Sequence, residues 1–324
     1  MVSRALAHDT GDMARDAGPT AFVTGAAGFI GTQLIRVLVA RGYQVFGLAR
    51  SVESTRHLRR AGAIAIRGDL LEPGQWQDEA AADCVFHIPP CMPARARLWR
   101  RAERIAHTRV LMDTHLLDAV AAGATRRIVY VADSRCYHPT GSRPVTEDEL
   151  SMSPARARCL MPALDRLDGY VIAGLPIVIA LPGFVYGNAS WFRERVVDPV
   201  MTGRRVLQFG KAGPWVSPIH VHDCARALVH VAERGDVGGR YFLANDEPIQ
   251  MHEFAQTVAS LANRPLRVLR VPAAAARLVA GRPLADYAKG NLALSNIRLR
   301  GIGFRFRYPT LEQGIEQVLG ALHE

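Results

Sequence analysis

A chain of 324 residues, 49% apolar and 22% charged with mean hydropathy +0.03, has the makeup of a globular protein that needs no disulfide or structural metal to hold its core. No run of about 18 uncharged apolar residues exists, which argues against a membrane span. The five cysteines (Cys84, Cys91, Cys136, Cys159, Cys224) form no C-x-x-C pair and point to free thiols in a reducing compartment, the cytoplasm.

The net charge of +10 invites a nucleic-acid reading, yet of forty basic residues only Lys211 and Lys289 are lysine, and no aromatic-interleaved basic patch exists for stacking bases. The densest group, Arg95, Arg97, Arg100, Arg101, Arg104 and Arg109, reads first as a solvated helix face, with an anionic-substrate site or a subunit contact as the alternatives.

Residues 1–18 carry Asp9, Asp12 and Asp16 without an apolar segment and read as a flexible tail, not a secretory signal. Ala21-Phe22-Val23 then reads as a strand, and helical spacing follows from Gly31 to Ala40 through Leu34, Ile35, Leu38 and Val39. Further strands are predicted at Gln44 to Leu48, Ala63 to Ile66, Cys84 to Ile88, Arg127 to Val131 and Ile177 to Leu181. Their apolar runs lack alternation, as in strands buried on both faces of a parallel sheet. The expected fold is α/β, a doubly wound Rossmann-type parallel sheet over 19–182 with a ligand crevice at the strand C-termini. Over 183–324 the pattern loosens into short strands (Arg240 to Ala244, Leu266 to Val271) and helices, read as a smaller substrate lobe interleaved with the sheet.

Thr24-Gly25-Ala26-Ala27-Gly28-Phe29-Ile30-Gly31 joins the first strand to the first helix. Gly25 makes the tight turn, Gly28 admits the pyrophosphate to the backbone, and Gly31 permits close helix–sheet packing, while the helix N-terminus faces the phosphates. The second strand ends Ala49-Arg50-Ser51, with no carboxylate to take a ribose hydroxyl. Arg50 is placed to fork onto a 2′-phosphate, so NADP(H) is favoured over NAD(H). After the third strand, Asp69 is either an acceptor for the adenine amino group or a plain turn residue, with Leu70 beside it.

The glycine turn, Gly68-Asp69-Leu70, Asp83-Cys84-Val85-Phe86-His87, Leu181-Pro182-Gly183-Phe184-Val185-Tyr186-Gly187 and Ile219-His220-Val221-His222-Asp223 occur in order. Together they resemble the extended short-chain dehydrogenase/reductase family, of the NAD-dependent epimerase/dehydratase type, from about Thr20 to the Gly301-Ile302-Gly303-Phe304 segment. The resemblance implies a cofactor site built from Gly25, Gly28, Phe29, Ile30, Gly31, Arg50, Asp69, Leu70, Pro89, Pro182 and Val185. It also implies a Tyr-x-x-x-Lys pair on the helix after the fifth strand, assisted by a Ser or Thr at that strand's end. Here that pair is missing: the residues four before the two lysines are Leu207 and Ala285. The tyrosine and lysine positions fall near Ala155 and Cys159, the Ser/Thr position falls on Asp133, and the family's alanine pair is Pro89-Pro90. Relatives dimerise through two long helices, here about 103–122 and 154–173, and Pro162 is placed to kink or break the second.

Three readings follow. The chain is an NADP-dependent oxidoreductase in which Asp133 is a replacement acid of raised pKa, with Ser134 and Tyr137 as orienting donors. Or the reaction is redox-neutral, an isomerisation, dehydration or cyclisation with Asp133 as base. Or the fold is a non-catalytic module that senses NADP. As a plain helix N-cap, Asp133 has no chemistry at all. His220 and His222 face one side of a strand, but no third metal ligand accompanies them, and Asp223 reads as a helix N-cap. His87 and His138 read as structural or second-wall residues. Gly213-Pro214-Trp215-Val216-Ser217-Pro218 lacks the arginine with which nucleotide-sugar relatives meet a diphosphate. With Trp191, Phe192 and Trp215 nearby, this favours a small, fairly apolar carbonyl or alcohol as substrate, unless those aromatics are core.

Overall fold

The computed structural model describes residues 18–89, 102–152, 154–209, 213–272 and 291–322. Strand β1 (Thr20–Thr24) leads through the glycine turn into α1 (Phe29–Ala40), followed by β2 (Gln44–Ala49), α2 (Val52–Arg60), β3 (Ile64–Arg67) and β4 (Cys84–His87). Then come α3 (Ala102–Ala121), β5 (Arg127–Val131), the short β6 (Pro144–Val145), α4 (Pro154–Ile172), β7 (Ile177–Pro182) and β8 (Phe184–Tyr186). The later part contributes α5 (Asp198–Met201), β9 (Val206–Phe209), β10 (Trp215–Val216), β11 (Pro218–His220), α6 (Val221–Arg234), β12 (Arg240–Leu243) and α7 (Met251–Leu261).

Seven strands form one sheet in the order β12-β7-β5-β4-β1-β2-β3, every pairing parallel. The order reverses between β1 and β4, and at such a switch point diverging connections leave a crevice above the strand C-termini. Successive side chains of β1 face opposite layers. Ala21 and Val23 pack with Leu34 and Leu38 of α1 and Leu228 of α6, whereas Phe22 packs with Leu116 and Leu117 of α3 and Leu167 of α4. Burial on both faces is why these strands show no polar alternation.

Three elements depart from the sequence expectation. The helix after the glycine turn starts at Phe29, and Val37 rather than Val39 completes its buried face. The segment at Arg240, grouped with the interleaved lobe in sequence, is the sheet's seventh strand, with Phe242 opposite Leu181. Its outer edge is closed by buried Glu147, whose carboxylate accepts from the Phe242 amide at 2.8 Å, a charged cover of the kind that blocks further strand addition. Finally, α4 is not broken at Pro162. One missing N–H removes a single ladder bond, and packing of Leu164 and Leu167 on the sheet holds the helix together.

A second apolar cluster, Tyr186, Phe192, Val197, Phe254, Val258 and Ile315, forms the core of the remaining lobe. Among the described residues no helix is long and apolar enough to cross a membrane.

Candidate active site

The glycine turn is closed by the Gly28 amide donating to the Gly25 carbonyl at 3.0 Å. Gly25 has φ +64°, and a Cβ there would stand 1.9 Å from the Ile88 carbonyl oxygen, so both the left-handed backbone and the close approach exclude a side chain. A Cβ on Gly31 would lie 2.4 Å from the Gly25 carbonyl. The turn residues Gly25, Ala27 and Gly28 are exposed. The helix behind them has no side-chain cap and no acidic residue in its first turn. Its N-terminal amides and positive dipole end are therefore left for an anion, and the cradle fits a dinucleotide pyrophosphate.

The sequence-derived site residues gather at one edge of the sheet. Exposed Arg50 follows β2, next to Ser51, whose side chain caps α2 by accepting from the Ser54 amide at 3.1 Å. Asp69 follows β3 and accepts through Oδ1 from the Leu71 amide at 3.0 Å, a turn contact that does not engage Oδ2, and Leu70 is buried beside it. Pro89 is buried at the end of β4; Pro182 closes β7, and Val185 in β8 is half-buried.

Asp133 stands just beyond β5, as the N-cap of a single 3-10 turn, Ser134–Cys136. Its Oδ1 accepts from the Arg135 amide and Nε at 2.9 and 2.8 Å, and its Oδ2 is paired with the same guanidinium. The expectation of a raised pKa fails here. Burial pushes the carboxyl up, but the charge and hydrogen bonds of Arg135, with a further contribution from Arg109, outweigh it and hold the group below the ordinary carboxylate value. Asp133 is therefore placed as a carboxylate paired with Arg135, not as a carboxyl of raised pKa. Half-buried Ser134 opens the turn. Tyr137 is not an orienting donor: it is fully buried, its hydroxyl donates to the Glu147 carbonyl at 2.8 Å, and its ring packs edge-on against Phe242.

Sequence reasoning missed what surrounds Asp133. Arg109 is no solvated residue; its side chain is 20% exposed and turns inward. Its Nε donates to the Tyr130 hydroxyl at 2.7 Å and lies 3.3 Å from Asp113 Oδ1, and its Nη2 reaches the Val131 carbonyl at 3.4 Å. The other arginines of that group lie outside the residues whose side chains are described, as do Pro90, Ala155 and Cys159. Asp113 and Tyr130 give no sequence signal because each sits among ordinary helix or strand residues. His87 is fully buried between Thr24 and Asp113, while His138 is exposed.

On the lobe side, Asp223 is not the N-cap of α6; His220 is, accepting from the His222 amide at 3.3 Å. The buried Asp223 carboxylate instead accepts from the backbone amides of Arg307 and Tyr308 at 2.9 and 2.8 Å and from Arg226 at 2.8 Å. Phe192 is fully buried, and Trp191, half-buried, packs on Phe184 and Phe254 with its indole N–H on the Val185 carbonyl. Phe192 belongs to the core of the lobe, and Trp191 packs against it.

With this geometry in place, comparison with known proteins decides the family. The model of the NAD dependent epimerase/dehydratase family matches residues 21–244. The chain belongs to that family. Among its relatives, 4-hydroxy-2-methyl-3-oxo-4-farnesyl-3,4-dihydroquinoline-1-oxide ketoreductase of Stigmatella aurantiaca is 28% identical over 270 residues, covering 80% of this chain and 78% of the relative. The 2-alkyl-3-oxoalkanoate reductase of Stenotrophomonas maltophilia is 28% identical over 257 residues, 75% and 76% of the two chains. The fold matches that of UDP-glucuronic acid 4-epimerase from Bacillus cereus, crystallised with UDP-glucuronic acid and NAD, with a TM-score of 0.78 at 18% identity over 94% of this chain and 99% of that one. The chain contains no Tyr-x-x-x-Lys, and Asp133, ion-paired with Arg135, stands just beyond β5.

Proposed function

We propose that the chain is an NADP(H)-dependent oxidoreductase acting on a small, fairly apolar ketone or secondary alcohol, with Asp133 as its proton-handling group. The observation that carries this is the Asp133 carboxyl at the C-terminal end of β5, beside the switch point and paired with Arg135. The glycine turn and the first amides of α1 would hold the pyrophosphate, Arg50 the 2′-phosphate, and Asp69 the adenine amino group. When bound, the nicotinamide supplies or accepts the hydride. Asp133 takes the hydroxyl proton of an alcohol as a base, and in the reverse direction its rarer protonated form returns it. Arg135 remains beside the carboxylate through both directions and keeps it anionic between turnovers. Oxidation therefore gains from neutral pH, and reduction slows as pH rises. The uncharged stretch from Gly213 to Pro218 and the ketone substrates in the relatives' names support the substrate class.

The ionised base also favours a second reading, a redox-neutral isomerisation or dehydration in which Asp133 removes a proton next to a carbonyl. Calorimetric titration with NADPH, NADP, NADH and NAD, with Arg50→Ala in parallel, tests the cofactor assignment. Tight binding of the phosphorylated pair that Arg50→Ala weakens by about tenfold supports it, and equal binding of both pairs refutes the NADP preference. A ketone and alcohol screen then separates the two readings: turnover with a change in nicotinamide absorbance, lost in Asp133→Asn, supports the oxidoreductase, and turnover without one supports the redox-neutral enzyme. Binding without any turnover leaves a sensor module.

A further inference from the structure

Parallel register places Thr24, His87 and Tyr130 in one row across β1, β4 and β5, directly under the crevice. The row is hydrogen-bonded from end to end. Thr24 Oγ1 lies 2.7 Å from His87 Nδ1, His87 Nε2 lies 2.8 Å from Asp113 Oδ1, and the Tyr130 hydroxyl donates to Asp113 Oδ2 at 2.7 Å. Arg109 closes the chain on Tyr130 and Asp113, its guanidinium 5.0 Å above the Tyr130 ring. Thr24, His87, Asp113 and Tyr130 are all within 1% of full burial.

Donor logic fixes the directions. The Asp113 carboxylate accepts, so the imidazole proton is on Nε2. Burial disfavours the imidazolium, which lowers the His87 pKa against the opposing pull of Asp113. Nδ1 is then an acceptor, and the Thr24 hydroxyl must donate to it. Every polar atom along the row is committed, and a fully satisfied buried network rigidifies what it joins. What it joins is Thr24, the residue immediately before Gly25, and Arg109, whose second anchor is the Val131 carbonyl at the end of β5, two residues before Asp133.

We propose that Asp113, with His87 and Tyr130, is a positioning device that locks the cofactor's glycine turn to the end of β5, so that cofactor affinity depends on side chains that do not touch the cofactor. The inference rests on the cofactor reading above. It is tested by a double-mutant cycle on the NADPH dissociation constant, measured by fluorescence, with Thr24→Val, Tyr130→Phe and the double variant, all checked as folded by circular dichroism. Thr24→Val and Tyr130→Phe each remove one hydroxyl at constant shape. Each is expected to weaken NADPH binding about fivefold, the equivalent of one buried hydrogen bond. The double variant is expected to be little weaker than either single one, because each cut loosens the same network centred on Asp113. Thr24→Ser restores the hydroxyl and should bind as the wild type does, which loss of bulk alone would not achieve. Unchanged affinity in Tyr130→Phe, or losses that multiply in the double variant, overturns the coupling. A wild-type protein that binds neither NADPH nor NADH overturns the cofactor reading itself, a result distinct from either of these.

Discussion

Asp223 offers the most direct test of how the segment before the last helix is held. Its carboxylate is fully buried and accepts two backbone amides from the 307–308 strap and one contact from Arg226. That strap continues into the helix Leu311–Gly320, which packs Ile315 and Val318 into the lobe core. In Asp223→Asn the shape is kept, but the side-chain amide has only one oxygen. One strap amide keeps an acceptor, and the other faces an N–H donor and is left orphaned in the interior. An unsatisfied buried donor costs about 1–3 kcal/mol, and losing the charge assistance of the remaining bonds adds to it, so we expect about 3 kcal/mol in total. For 324 residues, at about 2.1 cal/mol/K per residue, the unfolding entropy is roughly 0.7 kcal/mol/K, and Tm falls by about 4 °C. Urea unfolding and calorimetry measure both. Arg226→Gln is the control: its side chain is 29% exposed, water can replace it, and its cost should stay below about 1 kcal/mol. An Asn variant within about 0.5 kcal/mol of wild type, or an Arg226→Gln variant equally destabilised, would refute the assignment of Asp223 as the strap's anchor and restore the helix-cap reading.

Three further outcomes follow from the same structure. Gly25→Ala should abolish NADPH binding in calorimetry and destabilise the protein by more than the roughly 1 kcal/mol of a left-handed alanine, because its Cβ also meets the Ile88 carbonyl; wild-type affinity in this variant would mean the turn is not the cradle. Arg135→Gln removes the group that holds the Asp133 pKa down, so burial then dominates and the pKa rises. Wild-type Asp133 stabilises the fold above the ordinary carboxylate pKa and loses that contribution as pH falls through its lowered value, whereas in the variant the contribution reverses sign; carboxyl-labelled NMR titration with urea unfolding at several pH values checks both, and an unmoved titration contradicts the argument. His220 is pushed down to about 4, first by burial, with Asp223 and Gln317 opposing. Its neutral form supports the fold above pH ~6.5, and about 3 kcal/mol is lost as pH falls from there to about 4; His220→Gln should flatten the acid limb of the stability profile, and an unchanged slope would exclude His220 as its source.

Much of the fold was legible because the sheet is parallel and buried on both faces. The core strands are largely apolar runs, and all eight predicted strands fall within one or two residues of those observed. The strand at Arg240 was visible as a strand but not as part of the sheet, because edge membership depends on α6 carrying the chain back over β7, which no local pattern records. The glycine turn was legible for a local reason: its geometry is enforced by glycines at fixed spacing, and glycine is required where a Cβ cannot fit. Asp223 misled because an aspartate at a helix start usually serves its own helix, and here its partners are more than 80 residues away.

The region around Asp133 was legible in position but not in charge state. Counting from Tyr137 puts the aspartate at the end of β5, and the structure agrees on that. Whether a buried carboxyl is acid or base is decided by what stands within a few ångströms of it, and those groups come from different parts of the chain: Arg135 from the same turn, Arg109 from α3. Both arginines were in plain view in a sequence with thirty-eight of them, and abundance hid them. The consequence reaches the chemistry. A tyrosine–lysine pair keeps a proton on the phenol until the reaction needs it, whereas an aspartate–arginine pair has already given its proton up. Under the proposed function Asp133 starts as the proton acceptor, so alcohol oxidation and ketone reduction are expected to respond oppositely to pH, while the equilibrium and not the charge state of the site sets which direction prevails.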